Sequence, residues 1–313
     1  MKTYIANKHR FKAFGLNVLS EIYLPELPQS HFEGDVADIL IKKADLSLLW
    51  EELAGENKYF VINKDLIMFR LPDMAIYLIQ KGNEIYYSPI GNANEDQIRL
   101  YLLGTCMGAL LMQRMILPLH GSALEIDGKA YAIVGDSGAG KSTLASAFLK
   151  LGYQLISDDV IPVTLNEENI PMVTPAYPQQ KLWIESLNQF GIESIDYKPI
   201  FNRETKFAIP VSNQFASKPL PLAGVFELVK TEDAEIELNP VQKLQRLNTL
   251  FNHTYRNFFI SPLGLMDWHF STTAKICEHI DIYQLRRPIS RFTAHELTDL
   301  ILASLNKEEK VYG

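Results

Sequence analysis

Gly135-Asp136-Ser137-Gly138-Ala139-Gly140-Lys141-Ser142 fits a pattern in which glycine, four variable residues and glycine are followed by lysine and a hydroxyl residue. Small residues let successive backbone N–H groups curl around an anion, and a following helix turns its positive end toward the same spot. Lys141 adds a point charge for terminal phosphates, and the Ser142 hydroxyl is placed to complete the coordination of Mg2+. The flanks agree: Tyr131–Val134 predicts a strand before the loop, and Ser142–Leu151 a helix after it. Gly135 to Thr143 is therefore expected to hold the phosphates of ATP. The bland alternative is a glycine turn with an accidental lysine.

Working outward, a strand over Gln154–Ile156 is expected to end in Asp158-Asp159. Two carboxylates beside a triphosphate can divide two jobs, one holding magnesium and the other accepting the proton of an attacking hydroxyl. Ser142 and Asp159 are the metal-side candidates, although the residues alone leave open which aspartate is the base. Upstream, Asp127-Gly128 between apolar runs predicts a hairpin of strands Ser122–Ile126 and Ala130–Val134. His120 lies just before the first of these. It could contact the γ-phosphate or orient a carboxylate, although a lone histidine is more often structural.

Residues 1–95 read as a small β-rich domain. The runs Ile39–Ile41, Tyr59–Ile62, Ile67–Leu71 and Ala75–Ile79 are separated by turns such as Asn63-Lys64-Asp65 and Lys81-Gly82-Asn83. Asp96 to Met115 predicts a helix whose Gly104 and Gly108 lower its intrinsic propensity, so that it must rely on packing. The second domain, residues 96–313, continues through a proline-rich segment from Val160 to Val229 that favours short strands and loops. Helices are expected at Val241–Phe251, Ser271–His279 and from Thr293 to Leu305, with Thr293 and Glu296 as a capping box. A strand is expected at Ile282–Leu285. Lys206, in a loop-rich segment, could reach a transferred phosphate. Arg286-Arg287 at a strand end could grip a carboxylate or phosphate. Trp183 with Leu182 and Leu187 reads as core.

Composition limits the alternatives. The chain has 313 residues, 47% of them hydrophobic, enough for a large core, and its net charge of −7 argues against broad nucleic-acid binding. Cys106 and Cys277 are too few for a disulfide scaffold and read as buried thiols. Neither a signal peptide nor a membrane span is legible, which makes the cytoplasm the expected compartment. A homo-oligomer is left open.

Leu119-His120-Gly121-Ser122-Ala123, the phosphate loop and Gly152 to Asp159 occur in an order and spacing that resemble the catalytic domain of HPr kinase/phosphorylase. The core likeness covers Leu117 to Val163. Phe14-Gly15-Leu16, Leu24–Leu27, Leu117–His120 and Pro178–Leu187 further resemble the HPr-kinase-like proteins of lasso-peptide gene clusters. The resemblance implies an α/β fold: a P-loop kinase domain with a mixed, strongly bent sheet, HPr kinase/PEP carboxykinase-like, beside the β-rich N-terminal domain. It implies ATP and Mg2+ as cofactors. The implied acceptor is a serine hydroxyl of a peptide or protein, typically the C-terminal serine of a lasso-peptide precursor. Carried over, Lys141 and Ser142 bind nucleotide and metal, Asp158 or Asp159 is the base, and His120 assists at the phosphate. The family's glycine- and arginine-containing motif is missing between Val163 and Phe190, which speaks against the reverse reaction. Gly121, often alanine in relatives, is a departure of little expected consequence. A nucleotide-gated binding module and a small-molecule kinase are the other functional readings.

Overall fold

The computed structural model describes residues 8–32, 37–56, 59–197, 199–200 and 203–312. Its first sheet comprises β1 (His9–Ala13), β2 (Leu16–Ser20), β3 (Ile39–Lys43), β4 (Phe60–Ile62), β5 (Leu66–Leu71), β6 (Ala75–Gln80) and β7 (Glu84–Pro89), with helix α1 (Ser47–Ala54) after β3. The spatial order is β1-β2-β3-β7-β6-β5-β4. Local chemistry sets the turns. Asn63 Oδ1 accepts the N–H groups of Asp65 and Leu66 between β4 and β5. Lys81 and Gly82 take φ of 56° and 66° between β6 and β7, as a tight hairpin with right-handed strand twist requires.

Alternation sorts the two faces of this sheet. Met68, Ile76 and Leu78 bury Trp50 of α1, whereas Ile67, Phe69, Tyr77 and Ile79 face a long helical segment. That segment is α2 (Glu95–Tyr101), a π turn at Leu102–Cys106, and α3 (Met107–Gln113). Asn94 caps α2 by accepting the N–H of Asp96. Gly104 and Gly108, unfavourable for a helix, face Tyr255; a Cβ on Gly108 would lie 2.6 Å from its ring. Close packing against that ring is what these glycines provide.

The second sheet contains β8 (Leu117–Ile126), β9 (Lys129–Val134), β10 (Gln154–Leu165) and β11 (Pro171–Val173). After a separate three-stranded sheet of β12 (Gln179–Trp183), β13 (Pro199–Ile200) and β14 (Arg203–Pro210), it resumes with β15 (Leu220–Thr231), β16 (Glu237–Pro240) and β17 (Asp281–Pro288). The order is β11-β10-β8-β9-β15-β17-β16, and β11 also pairs with β15. The sheet therefore curls until its first and fifth strands meet. It is mixed, because β15 runs parallel to β9 and β17 while the other neighbours are antiparallel.

The remaining helices are α4 (Lys141–Lys150), α5 (Ile184–Gln189), α6 (Leu244–Asn252), α7 (Met266–His279) and α8 (Ala294–Tyr312). On β9 the residues Ala130, Ala132 and Val134 join a core with Leu250 of α6 and Ile276 of α7. Ile133 points the other way, toward Leu144 and Phe148 of α4 and Leu297 of α8. The fold is thus mixed α/β, with helices on both faces of the second sheet. No helix among the described residues is long and apolar enough to cross a membrane. Both cysteines are free, Cys106 buried and Cys277 half-buried.

Several local expectations change. The proline-rich segment holds the twelve-residue β15, because Pro219 precedes it and Pro221 is its second residue, leaving Leu222 to Thr231 free of proline. Glu296 is engaged by Arg291. Gly121 is not a neutral position: a Cβ there would lie 2.2 Å from the Ile133 carbonyl oxygen.

Candidate active site

A cleft of about 920 Å³ brings together His120, the loop from Gly135 to Thr143, Asp158 and Asp159. Strand register explains why. Asp159 of β10 pairs with Gly121 of β8, Gly121 pairs with Val134 of β9, and Val134 leads directly into the loop. The loop needs its glycines, since Gly135, Gly138 and Gly140 take φ of 147°, 78° and 106°. Gly135 also has no room for a side chain, because a Cβ would lie 2.5 Å from the Leu228 carbonyl oxygen. The side chain of Ala139 is turned into the core. Asp136 and Ser137 line the cleft beside Gly138.

Lys141 Nζ donates to the carbonyls of Gly135 and Asp136 at 2.8 and 3.0 Å. Its ammonium is thereby held inside the curve of the loop, and burial lowers its pKa. Thr143 Oγ1 meets Ser186 Oγ at 2.7 Å.

The aspartates do not close a strand as the sequence implied; β10 continues to Leu165. Neighbouring side chains on a regular strand point to opposite faces. Here Asp159 adopts a left-handed φ of 77°, and the Ser157 hydroxyl donates to the Val160 carbonyl at 2.5 Å. Both carboxylates consequently reach the same cleft. A left-handed residue other than glycine inside a strand costs on the order of 1 kcal/mol or more, and such strain concentrates at functional sites. His120 likewise lies within β8 rather than before it.

The two carboxylates have different partners. Asp158 is buried and accepts three hydrogen bonds: from Ser122 Oγ at 2.6 Å, Ser142 Oγ at 3.0 Å and the Lys181 backbone N–H at 2.8 Å. Asp159 Oδ2 accepts from Lys181 Nζ at 2.7 Å, and its Oδ1 lies 3.5 Å from His120 Nδ1. Of the metal-side candidates Ser142 and Asp159, Ser142 meets the carboxylate of Asp158, whereas Asp159 meets Lys181 and His120. Burial by itself would raise the Asp159 pKa, but the Lys181 ammonium and then His120 hold it well below the carboxylate range. Burial would lower the Lys181 pKa, and Asp159 more than reverses this.

His120 Nδ1 lies 3.0 Å from the Asp159 carbonyl oxygen. A carbonyl only accepts, so the proton sits on Nδ1 and the neutral ring carries its lone pair on Nε2. Burial lowers the ring's pKa, partly offset by Asp159, so the neutral form holds at pH 7. This geometry ties His120 to the backbone and carboxylate of Asp159.

The three candidate cations separate. Arg287 Nε donates to the Ala139 carbonyl at 2.7 Å and braces the phosphate loop. Arg286 lies outside the cleft, with its guanidinium on Thr231 and Asp233, because adjacent strand residues alternate. Lys206, from the loop-rich segment, lies on β14; it lines the cleft, with Nζ 5.3 Å from the centre of the Trp183 ring. Leu182 and Leu187 are core, whereas Trp183 faces the cleft.

Sequence reasoning missed Lys181, which binds one aspartate through its side chain and the other through its backbone. The signal was present: Lys181 is the only charge from Pro171 to Ile184, and a buried charge requires a partner. Glu227 was also missed. It pairs with Val134 in the same register row and accepts from His253 Nε2 and Gln284 Nε2, each at 2.9 Å. The His253 hydrogen bond, opposed by burial, holds the Glu227 pKa below its usual range.

The neighbouring oxygens that could hold a metal are Ser142 Oγ and Asp158 Oδ1. Among the described residues no group of three His, Cys, Asp or Glu could cage an ion. A hydroxyl and one carboxylate suit Mg2+, which keeps several waters and takes further oxygens from bound phosphates.

No family model matches the chain. Among curated proteins it is similar to the HPr kinase/phosphorylase of Ralstonia pickettii, 27% identical over 172 residues, covering 54% of this chain and 46% of that protein. That of Nitrosomonas europaea is 25% identical over 200 residues, covering 57% of this chain and 62% of that protein. The chain spans about half the length of the first curated relatives it matches. A solved structure, the HPr(Ser) kinase/phosphatase from Coxiella burnetii, aligns at 18% identity with a TM-score of 0.37, covering 62% of this chain and 93% of that one.

Proposed function

We propose that this HPr-kinase-like chain is an ATP- and Mg2+-dependent kinase acting on a serine hydroxyl of a peptide or protein, with a lasso-peptide precursor as the specific candidate. The observation that carries the reading is the convergence of the phosphate loop with two carboxylates in different environments. Residues 96–313 form the P-loop catalytic domain in this reading and residues 1–95 the β-rich domain. The confinement of the first sheet to residues 9–89 supports that division.

The loop amides and Lys141 bind and orient the terminal phosphates. Ser142 and Asp158 would hold Mg2+, which supplies charge neutralisation on the phosphates. Asp159, fixed by Lys181 and His120, aligns the acceptor hydroxyl. In transfer a bond forms between the hydroxyl oxygen and the γ-phosphorus. The bond from that phosphorus to the bridging oxygen breaks, the hydroxyl proton passes to Asp159, and ADP leaves. A carboxylate with a depressed pKa is a weak base, yet it suffices where the transition state is loose and the proton departs late.

Incubating the chain with Mg-ATP and a panel of serine-containing peptides, including candidate lasso precursors, followed by mass spectrometry, tests this. The expected result is a gain of one or more phosphates on serine together with ADP. Nucleotide binding without any transfer would favour the nucleotide-gated module instead.

A further inference from the structure

Beyond Asp159 the cleft continues along a wall made by the π turn, the turn before β6 and residues 252–258. Gly104 of the π turn leaves space beside the carboxylate: a Cβ there would lie 3.1 Å from the Tyr255 hydroxyl and 3.8 Å from Asp159 Oδ2. A hydroxyl group approaching Asp159 requires such a space, and extra-residue turns of this kind recur at functional sites. Farther along, half-buried Met74, Leu100 and Tyr101 and the exposed ring of Phe258 (46% accessible) line the same wall.

Among the residues of this wall that line the cleft, Arg256 is the one fixed charge. It is exposed, and its backbone is left-handed with φ of 53°. Its guanidinium lies 5.8 Å from the centre of the Tyr255 ring and donates to Thr105 Oγ1 at 3.3 Å. These two contacts fix the direction of the fork and leave other N–H groups for an acceptor oxygen. A planar cation beside apolar and aromatic surface recognises a carboxylate next to an apolar side chain.

We propose that this wall is the acceptor subsite, and that it selects a peptide whose phosphorylated hydroxyl has an apolar side chain and a carboxylate as near neighbours. The proposal rests on the kinase reading above and adds the acceptor's chemistry to it. The carboxylate can come from an Asp or Glu side chain or from a chain terminus.

The test is transfer from γ-labelled ATP to matched serine peptides. One carries Leu and Asp beside the serine, a second has Asn in place of Asp, and a third has Ala in place of Leu. A fourth ends in a free carboxylate directly after the serine, with its amide as a twin. Wild type, Arg256→Gln and Phe258→Ala are compared, with Mg-ATP affinity measured separately for each. A charge-assisted contact predicts that wild type prefers a carboxylate peptide over its neutral twin by about tenfold in kcat/KM. The amide twin separates the terminal source from the side-chain source. Arg256→Gln should reduce that preference to within about twofold and Phe258→Ala should erase the preference for Leu, with Mg-ATP affinity unchanged in both. Equal use of charged and neutral peptides by wild type overturns the proposal, whether or not the variants fold. So does a preference that survives Arg256→Gln. Transfer to no peptide by a chain that binds Mg-ATP, or failure to bind Mg-ATP at all, overturns the underlying kinase reading instead.

Discussion

Asp159 and Lys181 form the most consequential residue pair in the cleft. Their side chains are 23% and 9% exposed, so each charge depends on the other for its solvation. Replacing Lys181 with Met leaves a carboxylate largely removed from water without its cation, and such losses cost about 3 kcal/mol or more. The sign of the pH dependence follows. In wild type the Asp159 pKa is depressed, so its contribution is present above the unfolded pKa of about 4 and lost as pH falls through the folded value. The raised Lys181 pKa makes its share fully present below about pH 10 and lost as pH rises through the folded value. In the variant, burial instead raises the Asp159 pKa, and protonation on acidification relieves the penalty. Urea unfolding should therefore show Lys181→Met destabilised by about 3 kcal/mol at pH 7.5, with the gap narrowing by pH 4.5. A gap independent of pH would show that the pair is not what stabilises the site.

At the scale of elements, the register row Asp159–Gly121–Val134 joins the strands that carry the cleft's residues. It tolerates little change at its centre. Gly121→Ala sets a methyl group against the Ile133 carbonyl oxygen, and overpacking of this kind costs roughly 1–3 kcal/mol. Thermal unfolding should show a lowered midpoint; an unchanged midpoint would mean that β8 and β9 separate without cost. The same elements show what a sequence displays and what it hides. The hairpin of β8 and β9 was legible from Asp127-Gly128, and both residues take the positive φ that this turn requires. The phosphate loop was legible because its spacing is tied to backbone geometry. That β10 continues past Asp159 was hidden, since the left-handed bend that turns both carboxylates one way has no residue-type signature. The π turn was hidden for a similar reason: Gly104 and Gly108 read as weak points in a helix, and only the ring of Tyr255, 147 residues beyond Gly108, gives them a purpose.

Across the whole molecule, the two large sheets do not stand apart. Phe69 and Tyr77 of the first share a core with Val160 and Tyr177 beside the aspartates, with Tyr255 of the cleft wall and with Phe259 behind it. The first sheet therefore supports the wall opposite the phosphate loop, and the cleft is closed on one side by residues the loop motif says nothing about. This arrangement gives the carboxylates separate neighbours, Asp158 toward Ser142 and Asp159 toward the open wall. The most direct measurement is a comparison of Asp158→Asn and Asp159→Asn for Mg-ATP affinity and for phosphate transfer to an acceptor serine. Asp159→Asn should keep Mg-ATP affinity within about threefold while transfer falls by about 10²–10⁴, whereas Asp158→Asn should weaken the magnesium dependence of binding itself. Transfer by Asp159→Asn at the wild-type rate, or the two variants exchanging these phenotypes, would contradict this assignment.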